Sequence, residues 1–291
     1  MNLLFIANPK SGTAKQKLSW TTLRAWLPAD VTADWVSTSY PGNATEIARQ
    51  AVEGGVYDRI VAIGGDGTIN EVAQGLQHTA FPLCIIPVGS GNGVARHFGL
   101  PLDAQKALHT AIHGFARQID AGRFNGHLFL CTAGVGLDGV VAKEFSNSKT
   151  RGFWEYVRIA NRSFFNTRPI QYSGQMDGHD TKAAKARMLT IANCNQYGNN
   201  VKIAPGADAS DGWLNVVQVK AFYPIFLPWF AAKSLLGWRI QQDATSSISL
   251  AKKGRFVLDK ASEAHIDGEW IGSVNELTFE VEPLSMWLVS A

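Results

Sequence analysis

Apolar residues in the first 120 positions come in short runs separated by amphipathic stretches. Residues 3–7 form an unbroken apolar run of strand length, and residues 31–38, 59–63 and 83–87 also read as strands. Between them, the spacing of Leu18, Leu23, Trp26 and Leu27 predicts a helix, as do the patterns over 44–52, 69–76 and 104–113. Strand and helix alternating at this interval imply βαβ units and a parallel sheet covered on both faces.

The pattern changes near Ile119. Asn125-Gly126 lies between strand-like stretches at 118–124 and 127–132, a two-residue hairpin signal. Further β-rich stretches fall at 169–176, 187–193, 213–219, 246–250, 256–258, 263–266 and 277–281, with helices expected near 154–165 and 225–236. The expectation is an α/β domain over 1–120 and a mainly antiparallel domain over 121–282, with about 283–291 packing back onto the first. No internal repeat or low-complexity tract is visible.

Composition narrows the class. The 291 residues are 46% hydrophobic and 18% charged, ample for real cores and unlike a disordered chain. A balance of 27 basic against 24 acidic side chains gives +3, too little to argue for nucleic acid. Cys84, Cys131 and Cys194 lie far apart with no C-x-x-C pair, which argues against a disulfide framework or thiolate zinc site. They read as small buried apolar residues. The first residues run straight into a strand without a charged leader, so a reducing, cytoplasmic setting is expected. Residues 222–238 are strongly apolar but carry Pro224, Pro228 and Lys233, and fall short of the roughly 20 residues that span a bilayer. A buried or interfacial helix pair is expected there.

The chemistry sits in loops. Gly64-Gly65-Asp66-Gly67-Thr68-Ile69-Asn70 joins a predicted strand to a predicted helix. Its three glycines admit a ligand close to the backbone, and the following helix offers unpaired N–H groups and a positive dipole end. It is a phosphate cradle without P-loop spacing. A second glycine loop, Pro87-Val88-Gly89-Ser90-Gly91-Asn92-Gly93, follows the next strand. In a parallel sheet both emerge at the carboxyl edge, where open α/β sheets bind ligands.

These motifs resemble the diacylglycerol kinase catalytic domain family, shared by bacterial lipid kinases and sphingosine kinases. The similarity extends to Asn8-Pro9-Lys10-Ser11-Gly12, to the 204–212 stretch Ala-Pro-Gly-Ala-Asp-Ala-Ser-Asp-Gly and to Asp267-Gly268-Glu269, in the family's order across nearly the whole chain. In the second loop Ser90-Gly91-Asn92-Gly93 is closer to the sphingosine-kinase form than to the G-T-x-N-D of bacterial diacylglycerol kinases. The resemblance implies an NAD kinase/phosphofructokinase-like first domain, a β-sandwich second domain, and an ATP-dependent lipid kinase with a diacylglycerol- or sphingosine-like acceptor. It places ATP on Asn8, Thr38, Gly64, Gly65, Asp66, Gly67, Thr68, Ile69, Asn70 and Ser90. It places a Mg²⁺ ion on Asp208, Asp211 and the carbonyl of Trp213; two carboxylates and a carbonyl suit that ion, while a hydrogen-bonded Asx turn is the plain alternative. It makes Glu269 the base that accepts the hydroxyl proton, with Asp267 beside it and Asp66 as the rival for that role.

Other patterns carry less. Gly134-Val135-Gly136-Leu137-Asp138-Gly139 spells G-x-G-x-x-G but lacks an acidic residue about 20 positions on, so close backbone packing is expected. His109 and His113 share a helix face without a catalytic glutamate. Residues 143–168 interleave Lys143, Lys149, Arg151, Arg158, Arg162 and Arg168 with Phe145, Phe153, Trp154, Tyr156, Phe164 and Phe165. That mixture suits a lipid headgroup layer, or else a solvated basic face over a core-facing stripe. The partner expected is a lipid at a membrane surface, met peripherally, with no nucleic acid; a homodimer is left open. Two rival functions are a soluble kinase of a small polar acceptor, as in NAD kinases, and a non-catalytic lipid or nucleotide binder. The apolar 222–238 stretch weighs against the first, and the intact glycine loops and acidic pairs against the second.

Overall fold

The computed structural model describes residues 1–12, 18–148, 150, 152–222, 225, 227–237 and 243–291. The chain divides into two compact units, one of Met1–Ile119 with Leu284–Ala291 and one of Asp120–Pro283.

The first unit is built on β1 (Asn2–Ala7), β2 (Thr32–Ser37), β3 (Arg59–Gly64) and β4 (Leu83–Pro87). These are parallel in the order β2-β1-β3-β4, with Leu288 of the chain's last strand parallel to Leu83. Helices α1 (Trp20–Arg24), α2 (Asn43–Gly54), α3 (Asp66–Leu76), α4 (Gly93–His97) and α5 (Ala104–His113) connect them. The strands read as continuous apolar runs because they are buried on both sides. Leu3, Phe5, Val61, Cys84 and Ile86 pack with Leu23, Leu108 and Ile112 in one cluster, and α2 and α3 pack together along β1, β3 and β4. Burial pushes the Cys84 thiol up to about 12, so it is an inert apolar residue.

The second unit is antiparallel. It holds the end of β5 (Phe115–Phe124), β6 (His127–Phe129), β7 (Thr132–Gly136), β8 (Ile170–Met176), β9 (His179–Ala192), β10 (Leu214–Lys220), β11 (Ser246–Ala251), β12 (Lys253–Ile266) and most of β13 (Glu269–Ser290). Asn125 and Gly126 both have positive φ, the type I′ turn that dipeptide favours. β9 and β12 each bend between two layers. Their first halves flank β8, and their second halves flank β7. Register shifts at Tyr172/Gly174 and Val257/Ser262 accompany the bends. The enclosed core includes Phe124, Phe129, Leu189, Phe256, Leu277 and Phe279.

Three expectations are corrected. The stretches at 256–258 and 263–266 are one strand, β12, because a register shift against β13 rather than a turn separates them. The strand expected over 127–132 ends at Phe129, and β7 starts anew at Thr132. Helix α6 (Leu137–Asn147) stands where only glycine packing was foreseen. Helices α7 (Phe153–Asn166) and α8 (Leu227–Leu236) fall near their expected places.

Candidate active site

Because β1, β3 and β4 are adjacent and parallel, the loops after them share the carboxyl edge of the sheet. The Asn8 amide nitrogen donates to Thr68 Oγ1 at 3.1 Å, and Thr38 N–H donates to the Ala7 carbonyl at 2.9 Å. The loops after β1, β2 and β3 are thereby tied together. The two glycine loops touch through their backbones: a Cβ on Gly89 would lie 2.6 Å from the Gly65 Cα. A Cβ on Gly64 would lie 2.4 Å from that of Thr68. Gly65 itself is different, since a Cβ there meets nothing nearer than 3.4 Å and its φ is −90°. Packing therefore demands Gly64 and Gly89, whereas a Cβ on Gly65 would make only an ordinary van der Waals contact with Gly89.

Asp66 Oδ1 accepts from Val94 N–H at 3.3 Å, joining the start of α3 to the start of α4. Ile69 is wholly buried and its N–H already bonds Gly65 O, so it shapes the loop from below. Asn70 is buried and accepts from Gln74 Nε2 at 2.7 Å. Ser90 is exposed at the rim. Sequence reading missed Asn92. It caps α4 from a left-handed backbone with φ 53°, donates Nδ2 to Gly89 O at 2.9 Å, and leaves its buried Oδ1 without a hydrogen bond. A bare cradle beside an orphaned buried acceptor fits a phosphate-bearing ligand with donors of its own.

In the second unit, Asp267 and Gly268 have φ of 48° and 85°, a type I′ turn between β12 and β13. The Asp267 carboxylate accepts from the N–H groups of Leu130 at 2.9 Å, Cys131 at 2.8 Å and Thr132 at 3.0 Å. Its own N–H donates to Thr132 O at 2.7 Å. Asp267 is therefore the tether of the turn. Glu269 is exposed, and its carboxylate makes no hydrogen bond to the described residues. It is the solvent-facing carboxylate of the turn.

The 204–213 loop contains one Asx turn, the plain alternative to a metal site: Trp213 N–H donates to Asp211 Oδ1 at 2.9 Å, while Ser210 Oγ donates to Asp208 Oδ1 at 2.6 Å between side chains. It also contains more. Asp120, fully buried in β5, accepts from Gly212 N–H at 2.7 Å, and its N–H donates to Ala209 O at 2.8 Å. Burial, and then the charges of Asp208 and Asp120, raise the Asp211 carboxyl above its ordinary value. Among the described residues no three carboxylate, imidazole or thiolate ligands form a ready metal cage. An ion that keeps several waters needs no such cage, and repelling carboxylates suit a hard cation.

The G-x-G-x-x-G stretch packs as expected. A Cβ on Gly134 would lie 2.5 Å from Asp138 Oδ2, and one on Gly139 only 2.0 Å from Glu263 O. The basic and aromatic segment splits between two faces. Ile159, Ser163 and Phe164 are buried, while Trp154, Val157 and Phe165 face outward. Arg158 pairs with Glu155, and Arg162 with Glu144. Lys149 and Arg151 lie outside the described residues, as do Pro224 and Trp238 of the apolar stretch. Trp229, Leu235 and Leu236 of α8 are about half exposed. Among the described residues no helix is long and apolar enough to cross a membrane.

Comparison with known proteins decides the family. Residues 2–124 match the diacylglycerol kinase catalytic domain, and residues 131–290 match the YegS C-terminal NAD kinase beta sandwich-like domain. A diacylglycerol kinase of Bacillus subtilis is 31% identical over 274 residues, covering 92% of this chain and 89% of the relative. The chain belongs to the diacylglycerol kinase family. A Pseudomonas syringae pv. tomato protein named "Probable lipid kinase YegS-like" is 30% identical over 240 residues, covering 74% of this chain and 76% of its own. The crystal structure of a diacylglycerol kinase from Bacillus anthracis superposes with a TM-score of 0.73 at 20% identity, covering 100% of this chain and 97% of that one. An NAD kinase from Archaeoglobus fulgidus in complex with ATP shares the fold, with a TM-score of 0.55 at 14% identity over 100% and 94% of the chains. This family member is accordingly a lipid kinase, with ATP the phosphate donor its family implies.

Proposed function

We propose that this lipid kinase holds ATP on the carboxyl edge of the β1-β3-β4 sheet. The phosphates lie over Gly65, against the first turn of α3, and Asn92 Oδ1 accepts from the nucleotide or its bound water. Glu269 then takes the proton from a lipid hydroxyl as that oxygen bonds the γ-phosphorus and the bond to the leaving diphosphate breaks. An acceptor alcohol has a pKa far above neutrality, so a positioned carboxylate lowers the barrier by removing the proton as the bond forms. The main support is the contact of the two glycine loops, since packing requires Gly64 and Gly89 but not Gly65, whose glycine it leaves unexplained.

Asp208, Asp211 and the Trp213 carbonyl, with Asp120 behind them, are the residues we assign to Mg²⁺. Bound there, the ion would neutralise their mutual repulsion and fix the 204–213 loop. Diacylglycerol is the first acceptor to test, with sphingosine second. The outward stripe of α7 and the half-exposed α8 side chains are the surfaces we assign to the headgroup layer. Tryptophan and phenylalanine sit favourably at the interfacial level, and arginine side chains beside them meet anionic headgroups.

The test is transfer of radiolabelled phosphate from ATP to a panel of lipid alcohols in mixed micelles, with NAD as a polar control. Glu269→Gln is expected to lose on the order of 10²–10⁴ in turnover with ATP affinity preserved. Asp66→Asn is expected to lose ATP affinity as well, because Asp66 joins the two loops. Transfer to NAD but to no lipid would overturn the proposal. A Glu269→Gln enzyme at wild-type turnover, beside an Asp66→Asn enzyme that binds ATP but does not react, would move the base to Asp66.

A further inference from the structure

A buried polar chain lies directly behind the Asp267-Gly268-Glu269 turn. His265 is 2% exposed and Asp138 6% exposed, and His265 Nε2 meets Asp138 Oδ2 at 3.2 Å. The same oxygen accepts from Thr190 Oγ1 at 2.7 Å and from Tyr197 OH at 3.4 Å. Asp138 Oδ1 accepts from Gly139 N–H at 2.9 Å. Burial first, and then the Asp138 charge, hold the Tyr197 and Tyr156 phenols above their usual range. At the other side of the imidazole, Nδ1 faces the N–H of Gly268 at 3.4 Å. A backbone N–H can only donate, so Nδ1 carries the lone pair and Nε2 carries the hydrogen that Asp138 receives.

The arrangement has a price in sequence freedom. α6 must begin almost against β7 and β12 for Asp138 to reach His265, and Gly134 and Gly139 permit this because any side chain there would collide. Apolar residues of equal volume would fill such a core at least as stably as a buried imidazole–carboxylate pair. What apolar residues cannot do is hold Gly268, the centre of the turn.

We infer that His265 and Asp138 are positioning residues for phosphoryl transfer: Asp138 orients the imidazole, and the imidazole pins the Gly268 N–H of the turn that carries Glu269. Asp267 fastens one side of the turn through three backbone N–H groups, and His265 fastens its middle. The inference rests on Glu269 being the base.

The test uses the full-length enzyme with a short-chain diacylglycerol in mixed micelles, or sphingosine where that lipid is inert, together with hydrogen exchange of the Gly268 amide. His265→Leu is expected to lower kcat on the order of 10²-fold, the scale of a displacement near 1 Å. KM for the lipid and Kd for ATP should stay within about twofold, and exchange at Gly268 should quicken. His265→Gln offers an amide to both neighbours and should recover much of both signals. The His265→Leu/Glu269→Gln double variant should be no slower than Glu269→Gln alone, because an absent base has nothing to misplace. Wild-type kcat in His265→Leu, a loss that adds fully to that of Glu269→Gln, or unchanged Gly268 exchange would each overturn the inference. If His265→Leu does not fold, Asp138→Asn is judged by the same three criteria, since it keeps the volume and disturbs the tautomer. Full activity in Glu269→Gln would instead overturn the assignment of the base.

Discussion

Asp267→Asn separates tethering from catalysis. In the folded chain the carboxylate accepts three backbone N–H groups at 2.8–3.0 Å, and their residues, Leu130, Cys131 and Thr132, are almost fully buried. Hydrogen bonds to a charged acceptor contribute about 1.5–3 kcal/mol each, roughly twice a neutral one. Asparagine can keep Oδ1 toward Cys131 and Thr132, at about half the strength. Its amide nitrogen then faces the Leu130 N–H, which leaves a buried donor against a donor. The sum is a loss of about 3–5 kcal/mol, a large part of the 5–15 kcal/mol typical of a folded domain. Urea unfolding followed by far-ultraviolet circular dichroism measures it as a lowered midpoint at unchanged slope. Glu269→Gln, two residues on, changes an exposed side chain that makes no hydrogen bond to the described residues and should stay within about 0.5 kcal/mol of wild type. The tether assignment is refuted if Asp267→Asn unfolds within about 1 kcal/mol of wild type yet loses turnover with ATP binding intact.

Gly65→Val should fold and lose ATP binding, since its Cβ meets nothing nearer than 3.4 Å but fills the proposed phosphate space; isothermal titration with unchanged ATP affinity would refute the cradle. Gly89→Ala should instead destabilise the first unit, because its Cβ strikes the Gly65 backbone at 2.6 Å, and a thermal melt equal to wild type would contradict that contact. Asp211 is held above its ordinary pKa, so without a cation the folded state binds its proton more tightly than the unfolded chain and loses stability as pH rises through that range. Asp211→Asn in EDTA should therefore be at least as stable as wild type at neutral pH and gain nothing from added Mg²⁺; an undiminished Mg²⁺ shift of the melt would exclude the site. Trp154→Ala should weaken co-sedimentation with anionic vesicles without changing the melt, since Trp154 is 80% exposed, and unchanged partitioning would remove α7 from the docking surface.

The local chemistry of this chain was legible without coordinates. Strands β1, β3 and β4 declared themselves as apolar runs, because a parallel strand buried on both faces has no polar alternation to hide it. The glycine loops declared themselves too, since only a ligand or backbone approach explains such density of glycine, and Asn125-Gly126 and Asp267-Gly268 marked type I′ turns by their need for positive φ. What stayed hidden depended on residues far apart in sequence. Asp120 stands among polar residues of β5 with nothing in sequence to single it out, and only the fold sets it against the loop 92 positions later. Asp138 and His265 are 127 positions apart, and only the approach of α6 to β12 turns two unremarkable side chains into a pair. The two neighbouring carboxylates of the Asp267-Gly268-Glu269 turn look interchangeable on paper. The fold distinguishes them, because the N–H groups of residues 130–132 converge on one and leave the other in solvent. Short-range patterns fix turns and strands through backbone sterics and burial, whereas a side chain's role depends on the partners that long-range packing brings to it.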